Sequence, residues 1–146
     1  MLLSLLLVST YVSWVGPVCP ASSFLKSNFL LFSDIVGFTT ISSSMEPHKV
    51  SSMLHRLFLK MDALADAHEL YKVETIGDAW FGCTNCVQKQ DTDHAKRIAE
   101  FSLQAMKAAN ETLIDLDDPS QGHVQIRVGF HSGPVYTNVI DRKSVV

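Results

Sequence analysis

The chain has 146 residues, of which 47% are hydrophobic and 18% charged, and a formal net charge of −3. That is one domain's length with enough apolar side chains for a core, which excludes a low-complexity or disordered segment. The slight acidity offers no general attraction to nucleic acid or to an anionic membrane surface, so no nucleic-acid partner is expected. Cys19, Cys83 and Cys86 are too few for a secreted disulfide scaffold, and a reducing compartment is the default.

Taken in chain order, Met1 to Val15 is apolar or hydroxylated throughout and is followed by Gly16-Pro17-Val18-Cys19-Pro20. The run is shorter than the roughly 20 residues of a spanning helix. It has the length of a signal-peptide apolar region but lacks the basic residues that precede one. Three readings stay open: a signal or anchor, the remnant of a longer membrane segment, or residues foreign to the domain. With Pro17, Pro20, Ser22 and Ser23 read as linker, residues 1–26 stand apart. The folded domain is expected over 27–140, and 141–146 form a divergent tail.

Residues 29–39 read Phe-Leu-Leu-Phe-Ser-Asp-Ile-Val-Gly-Phe-Thr, an apolar strand that ends on Asp34 and turns at Gly37. A strand-end carboxylate calls for a partner or a cation. The backbone N–H groups around Gly37 and the Thr39 hydroxyl suit an anion. A metal ion and a phosphate held side by side are the first expectation.

Residues 40–44 read as a loop rich in Ser and Thr. Ser44 is a candidate N-cap for a helix with Pro47 in its first turn. Val50, Met53, Leu54, Leu57, Phe58, Met61, Leu64 and Ala65 recur every three or four residues and predict one buried helical face running to about His68. Residues 71–76 predict a strand, Gly77-Asp78 a tight turn, and residues 79–83 its hairpin partner. After a polar segment, a second helix places Ala95, Ile98, Ala99, Ser102, Met106, Ala109 and Leu113 on one side, with Asp91 or Thr92 as cap. Residues 115–122 are turn-rich, and 124–131 alternate as a strand that Ser132-Gly133-Pro134 ends. The order strand, helix, strand, strand, helix, strand is that of an α+β ferredoxin-like βαββαβ core, with helices on one face of an antiparallel sheet.

In that topology the first strand lies beside the hairpin, so Asp34 faces Asp78. Two carboxylates at neighbouring turns suit Mg2+, which is commonly held by one or two carboxylates, waters and substrate phosphates. The plainer alternative is a pair of ordinary turn aspartates. Cys83-Thr84-Asn85-Cys86 lacks the second pair a zinc site needs and reads as ordinary thiols. The six histidines are scattered, and His131 reads as locally hydrogen-bonded. Lys72, two residues before Glu74, is expected on the same face as Glu74.

Three blocks together carry a resemblance: Phe32-Ser33-Asp34-Ile35-Val36-Gly37-Phe38-Thr39, Tyr71-Lys72-Val73-Glu74-Thr75-Ile76-Gly77-Asp78-Ala79-Trp80, and Ile126-Arg127-Val128-Gly129-Phe130-His131-Ser132-Gly133-Pro134-Val135. In content, order and spacing they are similar to the class III nucleotide cyclase catalytic domain. The resemblance implies that Asp34 and Asp78 bind two Mg2+ or Mn2+ ions, with the Ile35 carbonyl as a further ligand. It implies that Gly37, Phe38, Thr39 and Arg127 hold the triphosphate. The reaction implied is attack of the nucleotide 3′-hydroxyl on its own α-phosphate with release of pyrophosphate. Glu74 stands where the family's guanylate cyclases resemble this chain and adenylate cyclases usually carry lysine. An acceptor-only carboxylate matches the adjacent N1–H and 2-amino donors of guanine, and a buried one would be left unpaired by adenine. GTP is therefore the expected substrate, with ATP as the alternative.

The family's active site is shared by two catalytic domains, so a second domain, as homodimer or heterodimer partner, is implied. After Val135 the resemblance fades. The family's Asn-Thr-Ala-Ser-Arg block, which supplies ribose-orienting and transition-state groups, does not occur in these residues. The family's last strands are expected to be missing with it. The chain thus reads as a cyclase, as a half-domain that pairs with or regulates another, or as a non-functional fragment. Its nucleotide chemistry places it on the cytoplasmic side, with a membrane tether through the N-terminal segment as an open expectation.

Overall fold

The computed structural model describes residues 11–14, 23–87, 89–90 and 92–139, with side chains described between 28 and 133 except at 88 and 91. Most of the N-terminal apolar run and all of residues 141–146 lie outside the described residues. Among the described residues five strands, β1 (Tyr11–Trp14), β2 (Ser23–Ile35), β3 (Tyr71–Ile76), β4 (Ala79–Thr84) and β5 (Ile126–Val139), form one sheet in the order β1-β5-β2-β4-β3. The four strands from β2 onward are antiparallel, in the order the ferredoxin-like reading requires. β1 is an addition, pairing parallel with the far end of β5. Among the described residues no helix is long and apolar enough to cross a membrane.

The sequence alternation of β2 divides its side chains between two environments. Leu31 and Ile35 enter the main core with Trp80 of β4, Met53, Leu57, Met61 and Ala65 of α2 (Pro47–Ala67), and Ile98, Phe101, Ala105 and Ala109 of α3 (His94–Asn110). Both long helices therefore cover the same sheet face. Leu30 and Phe32 alternate with these onto the opposite face, where Phe32 stacks on Phe81 with centroids 4.1 Å apart. Asp34, next in that alternation, is delivered to the face away from the helices.

The periodicity of α2 is as expected, but that of α3 is rotated. Phe101 and Ala105 are fully buried while Met106 is 36% exposed and Ala95 also faces water. Trp80, lying under α3 and stacked on Phe101 at 5.0 Å, favours the phase that presents an aromatic ring to it. Asp93, not Thr92, stands at the N-cap of α3, and Asp91 lies outside the described residues. Leu113 pairs with His123 beyond the helix.

Four further expectations differ from the structure. The Ser/Thr-rich segment is helical, α1 (Phe38–Ser44), because Ser42, Ser43 and Ser44 donate their hydroxyls to the carbonyls three residues back, so polar composition does not break the turn. Ser44 accordingly closes α1, and Glu46 precedes α2. β5 does not stop at Pro134. The proline faces the irregularity between Leu25 and Asn28 of β2, where a missing N–H costs no ladder bond. Cys83 and Cys86 are joined as a disulfide, where unlinked thiols were expected. Asn85, in the left-handed region at φ 59°, turns the chain so that Cys86 returns toward Cys83. The polar segment that follows is ordered by Gln90, which exchanges two hydrogen bonds with Asn85 and donates its amide to the Glu69 carbonyl at 2.8 Å.

Two polar contacts tie α2 to its surroundings, one to the hairpin and one to the loop after α3. Asp62 of α2 accepts from the Trp80 indole N–H at 2.9 Å and from Lys72 at 2.6 Å, tying the hairpin to α2. Lys49 bridges Asp115 and Asp117, each at 2.8 Å. The Lys49 hydrogen bond, helped by the Asp117 amide, holds the Asp115 carboxyl below its ordinary range.

Gly82 has a specific packing role. A Cβ there would lie 2.5 Å from two ring carbons of the fully buried Trp80 and 3.2 Å from the Tyr71 carbonyl. Gly82→Ala is expected to lower unfolding stability by about 1–3 kcal/mol through overpacking, read as a lower urea midpoint with unchanged slope.

Candidate active site at the ends of two strands

β2 outruns β4, so its last residues lack a ladder partner on the hairpin side. The turn between β3 and β4 fills that position. Gly77 takes φ 60°, which lets the chain reverse in two residues and brings the Asp78 carboxylate to the end of β2. There Asp78 Oδ2 accepts the Ile35 N–H at 3.3 Å. The acid that caps the strand end is thus the second of the two expected acids, and residue 35 stands between them.

On the other side of β2, Asp34 is in register with Arg127 of β5. Directly opposed residues in an antiparallel pair share a face, and the two side chains form a two-pronged ion pair. Arg127 Nε donates to Asp34 Oδ1 at 2.8 Å and Nη2 to Oδ2 at 2.7 Å. The side chains are 37% (Asp34) and 57% (Arg127) exposed. Hydrogen bonds and charge from Asp34, with the charge of Asp78 adding to them, hold Arg127 above the ordinary guanidinium range. Asp34, Asp78 and Arg127 therefore share one electrostatic neighbourhood.

The turn after β2 continues directly from this cluster. Val36 donates its N–H to Gln125 at 2.8 Å, and Gly37, at φ 69° and ψ 20°, opens α1. Its carbonyl accepts from Thr40 at 2.9 Å and Ile41 at 3.1 Å. The amides of Phe38 and Thr39 find no backbone acceptor among the described residues. Phe38 packs partly against the main core, which fixes the turn, while Thr39 is exposed.

The donor set can be tested for a divalent ion. Among the described residues no group of three His, Cys, Asp or Glu side chains could hold a metal. Two carboxylates remain, and one of them, Asp34, is already paired with the Arg127 guanidinium. Such a pair draws positive charge but does not enclose an ion. It fits a hard cation that keeps waters and takes further oxygens from a phosphate, and does not fit an all-protein cage.

Glu74 is not drawn into this cluster. It is exposed on β3, the edge strand, so the expected burial is absent within this chain. A β-bulge falls between Lys72 and Glu74, which pair with the consecutive residues Gly82 and Phe81. They consequently face opposite sides, against the expectation from their spacing. Lys72 joins Asp62 on the helix side, and Glu74 lies on the side of Phe81. Arg127, expected on phosphate alone, is also the partner of Asp34, a pairing that sequence alternation does not predict. The signal available was an arginine on an alternating strand of the same sheet; its register with β2 was not.

Comparison with known proteins bears on these features. A family model described as "Adenylate and Guanylate cyclase catalytic domain" matches residues 25–145. Retinal guanylyl cyclase 1 of Mus musculus is 42% identical over 111 residues, covering 76% of this chain. The chain spans about a tenth of that relative's length. Among solved structures, the non-canonical dimeric guanylyl cyclase domain of the RhoGC fusion protein from Blastocladiella emersonii superposes with a TM-score of 0.75 at 32% identity, covering 85% of this chain and 66% of that one. The guanylate cyclase domain of RhGC from Catenaria anguillulae, solved in complex with GTP, gives 0.69 at 35% identity, with coverages of 77% and 59%.

Proposed function

The chain belongs to the adenylate and guanylate cyclase catalytic domain family, and from that premise we propose that it provides the metal-bearing half of a guanylyl cyclase active site. The product is cyclic GMP, made from GTP, and the role is in intracellular signalling on the cytoplasmic side. The observation that carries this reading is the Asp78 carboxylate on the Ile35 amide, one residue past Asp34, with the Arg127 guanidinium against Asp34. A guanylyl cyclase relative and a GTP-bound structural neighbour support the choice of nucleotide.

Asp34, Asp78 and the Ile35 carbonyl are the groups that would hold two Mg2+ or Mn2+ ions. When bound, these ions supply activation of the 3′-hydroxyl and neutralisation of charge on the leaving pyrophosphate. The turn over Gly37, Phe38 and Thr39 presents amide donors to the triphosphate, and Arg127 can place its planar fork on phosphate oxygens. In the reaction the 3′-oxygen forms a bond to the α-phosphorus, the bond from that phosphorus to the pyrophosphate oxygen breaks, and the hydroxyl proton leaves to solvent. These residues act by in-line positioning and charge balance. Glu74, exposed on the edge strand, reads guanine in a site whose metals belong to a second cyclase domain, so the working unit is a dimer.

The test is complementation. Purified chain is assayed with Mn2+ and GTP, alone and mixed with a guanylyl cyclase domain whose own two metal aspartates are replaced by alanine. Little cyclic GMP alone and clear production on mixing is the expected result. Absence of product in both would sink the catalytic reading. A change in the activity of an intact partner, without rescue of the metal-dead one, would indicate a regulatory half-domain instead.

A further inference from the structure

Arg127 spends both prongs of its guanidinium on both oxygens of Asp34. That contact is imposed by the sheet, because the two residues are directly opposed in the β2–β5 register. A carboxylate so engaged, next to a fixed positive charge, is a poor ligand for a free dication. Asp78 is engaged as well, through the Ile35 N–H. Among the described residues there is no third acidic or imidazole side chain to compensate.

The same guanidinium is exposed enough to leave without disturbing the strand. Its side chain is 57% exposed on the face away from the helices, and ion pairs of this exposure are weak in water. A triphosphate offers Arg127 several oxygens of higher charge, which the planar fork engages in two-pronged fashion. Once Arg127 turns to phosphate, both oxygens of Asp34 become available beside Asp78.

Resting on the metal-binding role proposed above for Asp34 and Asp78, we propose that the Asp34–Arg127 ion pair is a latch that keeps divalent ions off the free site and is opened by the nucleotide's phosphates. Metal and nucleotide then enter as a unit, and Arg127 is exchanged from carboxylate to phosphate in the same step. The latch is a property of the nucleotide-free chain. It would keep Asp34 neutralised while the site waits for its substrate.

The test reads metal binding directly and needs no turnover. Free Mn2+ is followed by electron paramagnetic resonance during titration into the wild-type chain, Arg127→Ala and Arg127→Lys. Each titration is run without nucleotide and with 3′-deoxy-GTP, which cannot cyclise. Without nucleotide, Arg127→Ala is expected to bind Mn2+ about tenfold tighter than wild type, the scale set by one nearby positive charge acting on a dication in water. Arg127→Lys, which keeps the charge but loses the fork, is expected to fall between them and serves if the alanine variant does not fold. Adding 3′-deoxy-GTP should bring wild type to at least the affinity of the alanine variant. Replacing Asp78 by alanine in the Arg127→Ala background should abolish the gain, which localises it. Equal or weaker Mn2+ binding by both Arg127 variants, with nucleotide-dependent binding intact, overturns the latch and leaves the metal-bearing role standing. No Mn2+ binding in any chain, even with nucleotide, overturns both.

Discussion

Asp78→Asn is expected to cut cyclic GMP formation in the complementation assay by about a hundred- to a thousandfold, the loss that follows removal of a group stabilising transition-state charge. The substitution is nearly isosteric, and the structure indicates why the fold should survive it. Asp78 contributes one acceptor oxygen to the Ile35 N–H at 3.3 Å, and the asparagine carbonyl can keep that bond. What is lost is a negative charge beside Asp34. The loss should appear in kcat at saturating Mn2+ as well as in the metal concentration needed for half activity, while far-UV circular dichroism and the urea midpoint stay near wild type. Asp34→Asn is expected to behave alike in activity but to loosen Arg127, whose fork would retain a single acceptor. Activity of Asp78→Asn within tenfold of wild type would remove Asp78 from the metal-bearing role.

The parts of this site that were legible in the sequence are those fixed by local geometry. An apolar run ending at Asp34, and a Gly-Asp pair between two alternating segments, each specify a strand end and a turn. The split βαβ order then sets them side by side, and the structure places Asp78 on the amide of the residue after Asp34. What was illegible depends on cross-strand register. Arg127 meets Asp34 because β5 aligns residue 127 with residue 34, and a slip of two positions would have paired Asp34 with Gly129. The opposite facing of Lys72 and Glu74 depends on one extra residue in β3, which simple alternation cannot reveal. The phase of α3 was set by Trp80 and Phe101 stacking across layers, a tertiary preference that overrides helical periodicity read by itself. In α1, hydroxyl bonds to carbonyls three residues back accommodate a composition that argued for a loop.

Glu74→Lys is expected to lower the preference for GTP over ATP about ten- to a hundredfold, the range for leaving a hydrogen-bonding group unpaired or opposed in a desolvated site. The discrimination rests on acceptor and donor counting. A carboxylate accepts from both N1–H and the 2-amino group of guanine, whereas adenine offers an acceptor at N1, which faces the carboxylate with like polarity. Lysine reverses that sign by donating. In this chain, however, Glu74 is exposed on the edge strand, where water would satisfy it with either base present. Selectivity therefore requires a second domain to cover β3 and exclude that water. The measurement should be equilibrium binding of GTP and ATP with Mn2+, followed across chain concentration. A preference for GTP that rises as the chain self-associates, and that Glu74→Lys removes at every concentration, fits a base pocket completed between two domains. A preference independent of association, or one that survives the substitution, would place base recognition elsewhere than Glu74.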